Sequence, residues 1–330
     1  MATITQSDFA ALTDDLQSDF RVWAKVKIAQ MTGFTIFGVE DVGDRRTHDH
    51  LVLHGVGGFG EVTPGADIPT TTTDQGDTIT WTQKYYGNAF EVTKEMRKFD
   101  LRSAIIAIAK SQTEDAFDKI DQHLADCLTF GTSTSFSDVF GGTETSTGPD
   151  GLALFNASHT HGVTGITRTY RNIIQDSAWN NAPAVSRDAI DQMWVDAMNL
   201  LDAEGHVRPT MIDTVVVAPR NADIARRIVF SSGVQGTANV DINPIKSNIT
   251  EVKIWPRLTT RTGGTTTSDS WFGYDSRKVG ESVRIQFSQK PILMPATTDP
   301  DNLNWKYIID AFFATGRGYQ AYIFGAVRTG

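Results

Sequence analysis

The chain of 330 residues contains a single cysteine, Cys127. One cysteine cannot form a disulfide within the chain, and it excludes the cysteine-cluster sites that hold structural zinc. Cys127 falls on the apolar side of a predicted helix, where a buried hydrophobic role is much more common than a reactive thiol. The sequence therefore predicts a fold held together by packing, without disulfides and without a cysteine-bound metal.

Long apolar runs and an excess of basic residues are also missing. No stretch approaches the roughly 18 apolar residues of a membrane-spanning helix. The first residues, MATITQSD, lack the basic start and apolar core of a secretion signal, so we expect synthesis in the cytoplasm. The formal net charge of −9 argues against a surface that grips nucleic acid, because phosphate contacts need clustered Lys and Arg. A mildly acidic wall could still enclose DNA without binding it.

Catalytic motifs are absent, with one apparent exception. The glycine-rich stretch from Gly55 to Gly60 fits the GxGxxG pattern of dinucleotide-binding and kinase loops. A dinucleotide site needs a helix immediately afterwards, whereas residues 63–69 contain two prolines and cannot begin one. A kinase needs His-Arg-Asp and Asp-Phe-Gly triplets, and the sequence has neither. We interpret the stretch as a flexible loop and predict no catalytic residue and no cofactor; a nucleotide-binding enzyme is the remote alternative.

Two groups of histidines resemble metal ligands. His48, His50 and His54 form the first group, and His159 with His161 forms the second. A strand places His48 and His50 on one face, while a helix pairs His50 with His54, so no single regular element aligns all three. We predict no metal site and interpret both groups as polar segments at an interface. Carboxylates spread along helices, including Asp118 and Asp121, are expected to be solvated.

The most informative pattern that is present covers residues 84–131. Residues 84–96 place Tyr86, Phe90 and Val92 on one face of a strand. Asp100 then predicts an N-cap, and from residue 101 apolar positions recur every three or four residues until Gly131, which predicts a left-handed stop. About thirty helical residues make a rod of roughly 45 Å. This rod is longer than a compact domain of this size needs.

Weaker patterns divide the rest of the chain, whose composition of 40% hydrophobic and 21% charged residues is ordinary for a globular protein. Residues 1–30 carry a loose helical stripe that includes Phe9, Phe20 and Trp23 and has little to pack against locally. Residues 33–83 suggest a long hairpin excursion. The remaining expectations are a loop at 132–149, helices at 187–204 and 221–230, a buried strand at 214–218, and strands at 251–256, 270–274, 282–289, 305–315 and 318–327. The predicted class is α+β.

The order of these features resembles the major capsid proteins of tailed bacteriophages, which have the HK97-type fold. Three stretches carry the resemblance: residues 86–96 leading into the long helix, the segment DGLALFNASH at 150–159, and TVVVAPRNADIA at 214–225. The second stretch is most similar to Mu-like head subunits. The resemblance covers roughly residues 30–327 and depends on the order and spacing of these motifs.

The resemblance implies a division of the chain into five parts. Residues 1–30 would be an N-terminal arm that reaches over a neighbour, and 31–97 an extended loop that lies across an adjacent subunit. Residues 98–149 would hold the spine helix and peripheral domain, 150–300 an axial domain, and 301–330 the strands returning to the peripheral domain. No Lys–Asn cross-link of the kind found in some relatives is predicted for Lys84.

The implied function is a major capsid protein that assembles with itself, as pentamers and hexamers, into an icosahedral shell around double-stranded DNA. A separate scaffolding protein, a portal and a decoration protein are the further partners implied, and the virion is the implied location. An encapsulin-like compartment for enzyme cargo is the alternative, and a tail or adaptor component is a third possibility. Because Trp and Tyr dominate interfaces, candidate contacts between subunits are the aromatic residues Phe9, Phe20, Trp23, Phe59, Trp81, Tyr85 and Tyr86. The aromatics of the hairpin could instead pack within its own base.

Overall fold

The computed structural model describes residues 6–51, 61–65, 67, 77–99, 102–161, 168–174, 183–203, 205–233, 242–258, 270–299 and 303–327. The side chains of residues 6–12, Arg97 and Arg102 are outside this description. Four features of the sequence analysis therefore lie outside the described residues: the loop from Gly55 to Gly60, Phe59, His54 and the Asp100 N-cap.

Helices and strands follow one another without a regular alternation along the described chain, which is typical of an α+β fold. The helices are α1 (Gln6–Gln30), α2 (Gly33–Ile36), α3 (Lys94–Lys98), α4 (Arg102–Thr129), α5 (Arg187–Met198), α6 (Ala222–Phe230), α7 (Ile245–Asn248) and α8 (Val279–Ser282). The strands are β1 (Gly38–Asp41), β2 (Thr47–Leu51), β3 (Thr78–Thr82), β4 (Lys84–Val92), β5 (Ser135–Ser137), β6 (Thr143–Thr145), β7 (His159–Thr160), β8 (Thr169–Tyr170), β9 (Thr214–Val217), β10 (Glu251–Ile254), β11 (Trp271–Tyr274), β12 (Val283–Leu293), β13 (Thr297–Thr298), β14 (Trp305–Arg317) and β15 (Ile323–Ala326).

The longest helix is α4, which confirms the predicted rod. Its 28 residues extend for about 42 Å. Residues of the predicted apolar stripe are buried, since Ile105, Ile120 and Leu124 are each at most 3% exposed. Phe90 and Val92 of the preceding strand β4 belong to the same hydrophobic cluster, as their spacing predicts. This cluster is the larger of the two cores of the subunit.

Gly131 follows α4, and its structural role differs from the prediction. Its backbone is not in the left-handed region. A Cβ atom at this position would instead lie 2.5 Å from the ring of Phe155 and 2.9 Å from the carbonyl oxygen of Leu128. Real Cβ atoms do not approach other heavy atoms so closely, so glycine is required here by close packing and not by backbone conformation.

Two of the sheets in the described structure have more than two strands, and the larger of these two has five. Its order is β1-β12-β14, and β4 and β13 both pair with β14. Strand β4 runs antiparallel to β14 over its whole length. One face of this sheet, together with α1 and α4, forms the larger core. Residues near the start of the chain are thereby paired with residues near its end.

The smaller sheet has four strands in the order β10-β9-β11-β15. Val215 and Val217 of β9 face a second hydrophobic cluster with α5 and α6, while Val216 faces the larger core. Both faces of β9 are therefore covered, which explains why its sequence is continuously apolar and does not alternate. The predicted buried strand at 214–218 is confirmed.

Two strands have sheet neighbours that the sequence analysis did not predict, and the division of the chain into five parts stays a prediction. Strand β12 lies within the segment assigned to the axial domain, but it pairs with β1 and β14 in the five-stranded sheet. Strand β15 was expected to return to the peripheral domain, and it pairs with β11 in the four-stranded sheet. An alternating pattern identifies the two faces of a strand but not its neighbours, so the sequence could not assign these partners.

Two local predictions are corrected. Residues 132–149, expected to be a loop, contain the antiparallel pair β5–β6. The helix expected at 187–204 ends at Met198. After it, the Asp202 carboxylate accepts a hydrogen bond from the backbone N–H of His206 at 2.8 Å, and the Asp202 N–H donates to the His206 carbonyl oxygen at 2.9 Å. Local bonds of this kind compete with helical ones, so a tight turn replaces the last helical turns.

Candidate assembly surfaces

The base of the predicted hairpin excursion is present. Strands β2 and β3 are antiparallel, with Leu51 opposite Thr78 and Thr47 opposite Thr82. The N–H of Gln83 donates to the carbonyl oxygen of Arg46 at 2.8 Å, which continues the pairing toward the body of the subunit. The connection between β2 and β3, residues 52–77, therefore begins and ends at neighbouring points, as an excursion requires.

Trp81 at this base is a candidate subunit contact that the structure does not support. Its side chain is only 6% exposed. The ring stacks on His50 at a centroid distance of 5.1 Å, and Gly316 has no side chain because the ring of Trp81 occupies that space. Trp81 thus packs within its own subunit, which was the alternative that the sequence left open. Large aromatic rings are common both in protein cores and in interfaces, so the residue type alone could not decide between the two roles for Trp81.

The N-terminal helix α1 also finds its packing partner within the chain. Phe20 is 4% exposed, and its ring centroid lies 6.5 Å from that of Phe117 on α4. Leu16 is fully buried, and Trp23 is partly buried against the same core. The stripe therefore packs on a distant part of its own chain, the apolar face of α4, and not on a core formed by neighbouring residues. Phe9 lies on α1, but its side chain is outside the described part.

Tyr85 and Tyr86 are neighbours on β4 and therefore point to opposite faces of the sheet. Tyr86 packs against Phe140 and Phe313 at centroid distances of 4.4 and 4.3 Å, and burial raises its pKa well above the usual value. The Tyr85 side chain is 58% exposed and covers one edge of Phe312 at 4.7 Å. Of the seven candidate aromatics, Tyr85 is the one that the described structure leaves most available to a neighbour.

The first histidine group has structural partners. His48 and His50 share one face of β2, as predicted for a strand; His48 Nδ1 lies 3.2 Å from the amide nitrogen of Gln286. Burial beneath Trp81 lowers the pKa of His50, and the charge of Arg284 lowers it further. Within the described ranges, no three His, Cys, Asp or Glu side chains are placed to hold a metal ion. None of the helices described has the length and apolarity needed to cross a membrane.

Comparison with known proteins identifies the family. A family model described as "Phage capsid protein" matches residues 76–327, which include β3, β4, α4 and both sheets apart from β1. The chain belongs to the phage capsid protein family. A search of curated proteins gives no match.

Solved capsids show that this capsid protein has the HK97-type fold. It is similar to the capsid of Myoviridae phage XM1, with 12% identity, a TM-score of 0.51 and coverage of 90% of this chain and 91% of that one. The capsid of cyanophage P-SCSP1u gives 8% identity, a TM-score of 0.52 and coverage of 88% and 85%. The capsid of an empty GTA particle gives 14% identity, a TM-score of 0.51 and coverage of 90% of this chain and 88% of that one. At these identities the likeness establishes the fold alone, and the Mu-like character of residues 150–159 stays a prediction.

The segment at 150–159 of the capsid protein contains a buried polar network. Asp150 Oδ2 lies 2.7 Å from Nδ1 of His159, and its Oδ1 accepts from the side-chain amide of Gln320 at 3.0 Å. His159 Nε2 lies 3.0 Å from Oδ1 of Asn172, whose amide group donates to the carbonyl oxygen of Leu154 at 2.7 Å. Burial raises the pKa of Asp150, but the bond and charge of His159, together with the bonds from the Leu152 N–H and Gln320, outweigh it and lower that pKa. His159 is fully buried, so its assignment to an interfacial segment is wrong.

A second buried imidazole lies on α4 and was not selected from the sequence. His123 Nδ1 lies 2.8 Å from Asp138 Oδ1, and its Nε2 lies 3.1 Å from Oγ1 of Thr315. Burial lowers the pKa of His123, but Cys127 and Asp138 outweigh it and raise that pKa to about 10. Cys127 is 1% exposed, which agrees with the predicted packing role. The signal available was a histidine on the apolar stripe of the helix.

Asp121 on α4 corrects the expectation of a solvated carboxylate. It is 7% exposed; one oxygen accepts from the N–H of Gly33 and the other from the indole nitrogen of Trp255, both at 3.0 Å. Burial raises the pKa of Asp121, although these bonds and Arg257 act in the opposite direction. The carboxylate joins α2, the middle of α4 and the residue that follows β10, and it thus ties the start of the chain to both sheets.

Proposed function

We propose that this capsid protein is the major subunit of an icosahedral head that encloses double-stranded DNA, assembled from pentamers and hexamers of itself. The observation that supports this most strongly is the family match across α4 and both sheets, combined with the paired base of the hairpin at Thr47–Leu51 and Thr78–Thr82. A closed shell of one repeated chain needs large, complementary contacts between copies. An excursion increases the contact area of a subunit without enlarging its core.

The division of the chain into five parts that the family resemblance implies is also proposed. The N-terminal arm would lie along the spine helix α4, and the connection at 52–77 would extend across an adjacent subunit. Permanent interfaces of this kind commonly bury more than about 2,000 Å². Tyr85 is the exposed aromatic proposed to contribute to such an interface.

Further partners are proposed from the family resemblance. A scaffolding protein encoded separately would guide the shape of the shell, a portal would occupy one vertex, and a decoration protein would bind outside. The subunit itself would act without catalysis and without a cofactor, and its net charge of −9 suits an inner wall that contains DNA without binding a particular sequence.

The test is negative-stain electron microscopy of the recombinant protein after size-exclusion chromatography. Closed particles tens of nanometres across, or separate pentamers and hexamers, are the expected result. A clean monomer that stays monomeric with a scaffold supplied would contradict the proposal. Rings or tubes would indicate a tail or adaptor component, and particles that contain a protein cargo in place of DNA would indicate a compartment.

A further inference from the structure

An open groove lies beside the N-terminal helix. One side of α1, from Gln17 to Ile28, forms one wall, and residues 290–295 form the other. Phe20, Phe117 and Phe287 contribute to its floor. The groove has a volume of about 720 Å³, which is room for several large apolar side chains.

Apolar side chains remain accessible to solvent along this groove. Ile28 is 42% exposed, Val39 50%, Ile292 40% and Met294 36%. Single exposed apolar residues are common on protein surfaces, but a contiguous set around a concave floor of phenylalanines is typical of a binding site. The subunit thus presents a preformed apolar surface that its described residues do not cover.

The charged residues that line the groove are all basic. They are Arg21 and Lys25 on α1 and Lys290 on the opposite wall, and none of the described lining residues is acidic. Lys290 lies 3.6 Å from Asp41 in an exposed pair, whereas Arg21 and Lys25 form no ion pair with the parts of the chain that the structure describes. A wholly basic rim departs from the net charge of −9 of the chain. This rim favours an acidic ligand.

The walls indicate the shape of that ligand. The α1 wall spans about 17 Å, the length of three helical turns. The wall at 290–295 contains Pro291 and Pro295, which have no N–H to donate, and the carbonyl oxygen of Leu293 already accepts from Gln17 at 3.2 Å. An added strand would find few backbone partners there. A helix needs none, because its own backbone bonds are internal, and it can place side chains at i, i+3, i+4 and i+7 in the groove.

We propose that this groove binds an acidic amphipathic helix of a different protein. The N-terminal helix of a second copy of this chain fits less well. On α1 the acidic and apolar face away from the core has Asp15, Val22 and Val26 exposed and Asp19 half-buried, and two valines cannot fill a groove of about 720 Å³. The partner helix would place leucine-sized residues on the phenylalanine floor and Glu or Asp beside Arg21 and Lys25.

Fluorescence anisotropy with three labelled peptides tests the proposal on the full-length protein. The first peptide is a helix of about four turns with Leu at i, i+3, i+4, i+7 and i+11 and Glu beside them. The second carries Lys in place of Glu, and the third is a scrambled form of the first. We expect the acidic peptide to bind, its Kd to rise with salt, and the other two to bind at least tenfold more weakly.

Charge reversal in the protein identifies the site. R21E/K25E should weaken the acidic peptide at least tenfold and strengthen the basic one, whereas R226E, which reverses an exposed charge on α6, should change neither. Both altered positions are exposed, so the fold should persist. Equal binding of acidic and basic peptides, no binding of the acidic peptide, or an effect of R226E equal to that of R21E/K25E would overturn the proposal. A change in oligomeric state caused by R21E/K25E without any peptide would also overturn it, since the groove would then be an interface between copies.

Discussion

Replacing Phe20 with alanine tests whether α1 is part of the folded subunit. The ring is 4% exposed and lies against Phe117. Truncating a buried phenylalanine costs about 3–5 kcal/mol, partly from lost burial and partly from the cavity that remains. Because Phe20 also lines the open groove, solvent can reach the vacated space and the cavity contribution is smaller. We therefore expect a loss near the lower end, about 3 kcal/mol in the free energy of unfolding.

Urea unfolding of the unassembled subunit measures this loss, and amide hydrogen exchange shows whether protection of α1 decreases. Val22→Ala is the matched control on the same helix; its side chain is 58% exposed, so a change within about 0.5 kcal/mol is expected. A loss below about 1 kcal/mol for Phe20→Ala, with an unchanged slope against urea, would refute the reasoning. The helix would then contribute little to the isolated subunit and would be ordered only by neighbours.

Three further predictions concern the excursion, the polar network and the exposed sheet face. Deleting residues 55–75 should leave a folded subunit that forms no shells; intact shells in electron micrographs would contradict this. Asp150→Asn should cost about 3 kcal/mol at pH 7, because the amide has one accepting oxygen and leaves either His159 or Gln320 facing a buried NH2 group. Since the folded-state pKa of Asp150 is lowered, this stabilisation is present above its ordinary pKa of 3.8 and is lost as the pH falls through the lower folded value. The difference in unfolding free energy between the unaltered protein and Asp150→Asn should therefore be smaller near pH 3 than at pH 7. An equal difference at both pH values would be evidence against a stabilising Asp150–His159 pair. Tyr85→Ala should change the free energy of unfolding by less than about 1 kcal/mol yet reduce the yield of shells, whereas Tyr86→Ala should cost about 3 kcal/mol. A normal yield of shells from Tyr85→Ala would show that Tyr85 is not a contact between subunits.

Features that depend on local periodicity were predictable. The stripe of α4 and the alternation of β4 each bury one face against a large core, so the period of the sequence matches the period of the element. The continuous run of β9 is equally informative, because only a strand covered on both faces is apolar throughout. These elements carry most of the resemblance to the family, which is why the fold could be recognised from them.

Features that depend on long-range pairing were not predictable. Strands β12 and β15 each have a clear pattern, but which sheet they join depends on residues far away in the chain. The burial of two aromatic candidates, Trp81 and Phe20, within the subunit was not predictable for a related reason. A large ring is favoured both in interfaces and in cores, and the sequence could not show that Gly316 leaves space for Trp81 or that Phe117 faces Phe20.

Two of the three histidines that are buried in the described structure, His123 and His159, share a location that suggests why these polar residues are there. The chain leaves the five-stranded sheet at the end of β14 and enters the four-stranded sheet at β15, so residues 318–322 connect the two. His123 contacts Thr315 near the end of β14, just before this crossing, and the network of His159 reaches Gln320 within it. Between them, the Arg317 side chain donates to the carbonyl oxygen of Thr145 at 3.1 Å. Apolar contacts alone tolerate small slides between packed layers, whereas buried hydrogen bonds tolerate only a narrow range of distances and angles. Placing them along the crossing fixes the position of one sheet relative to the other, which a subunit repeated around closed symmetry axes requires.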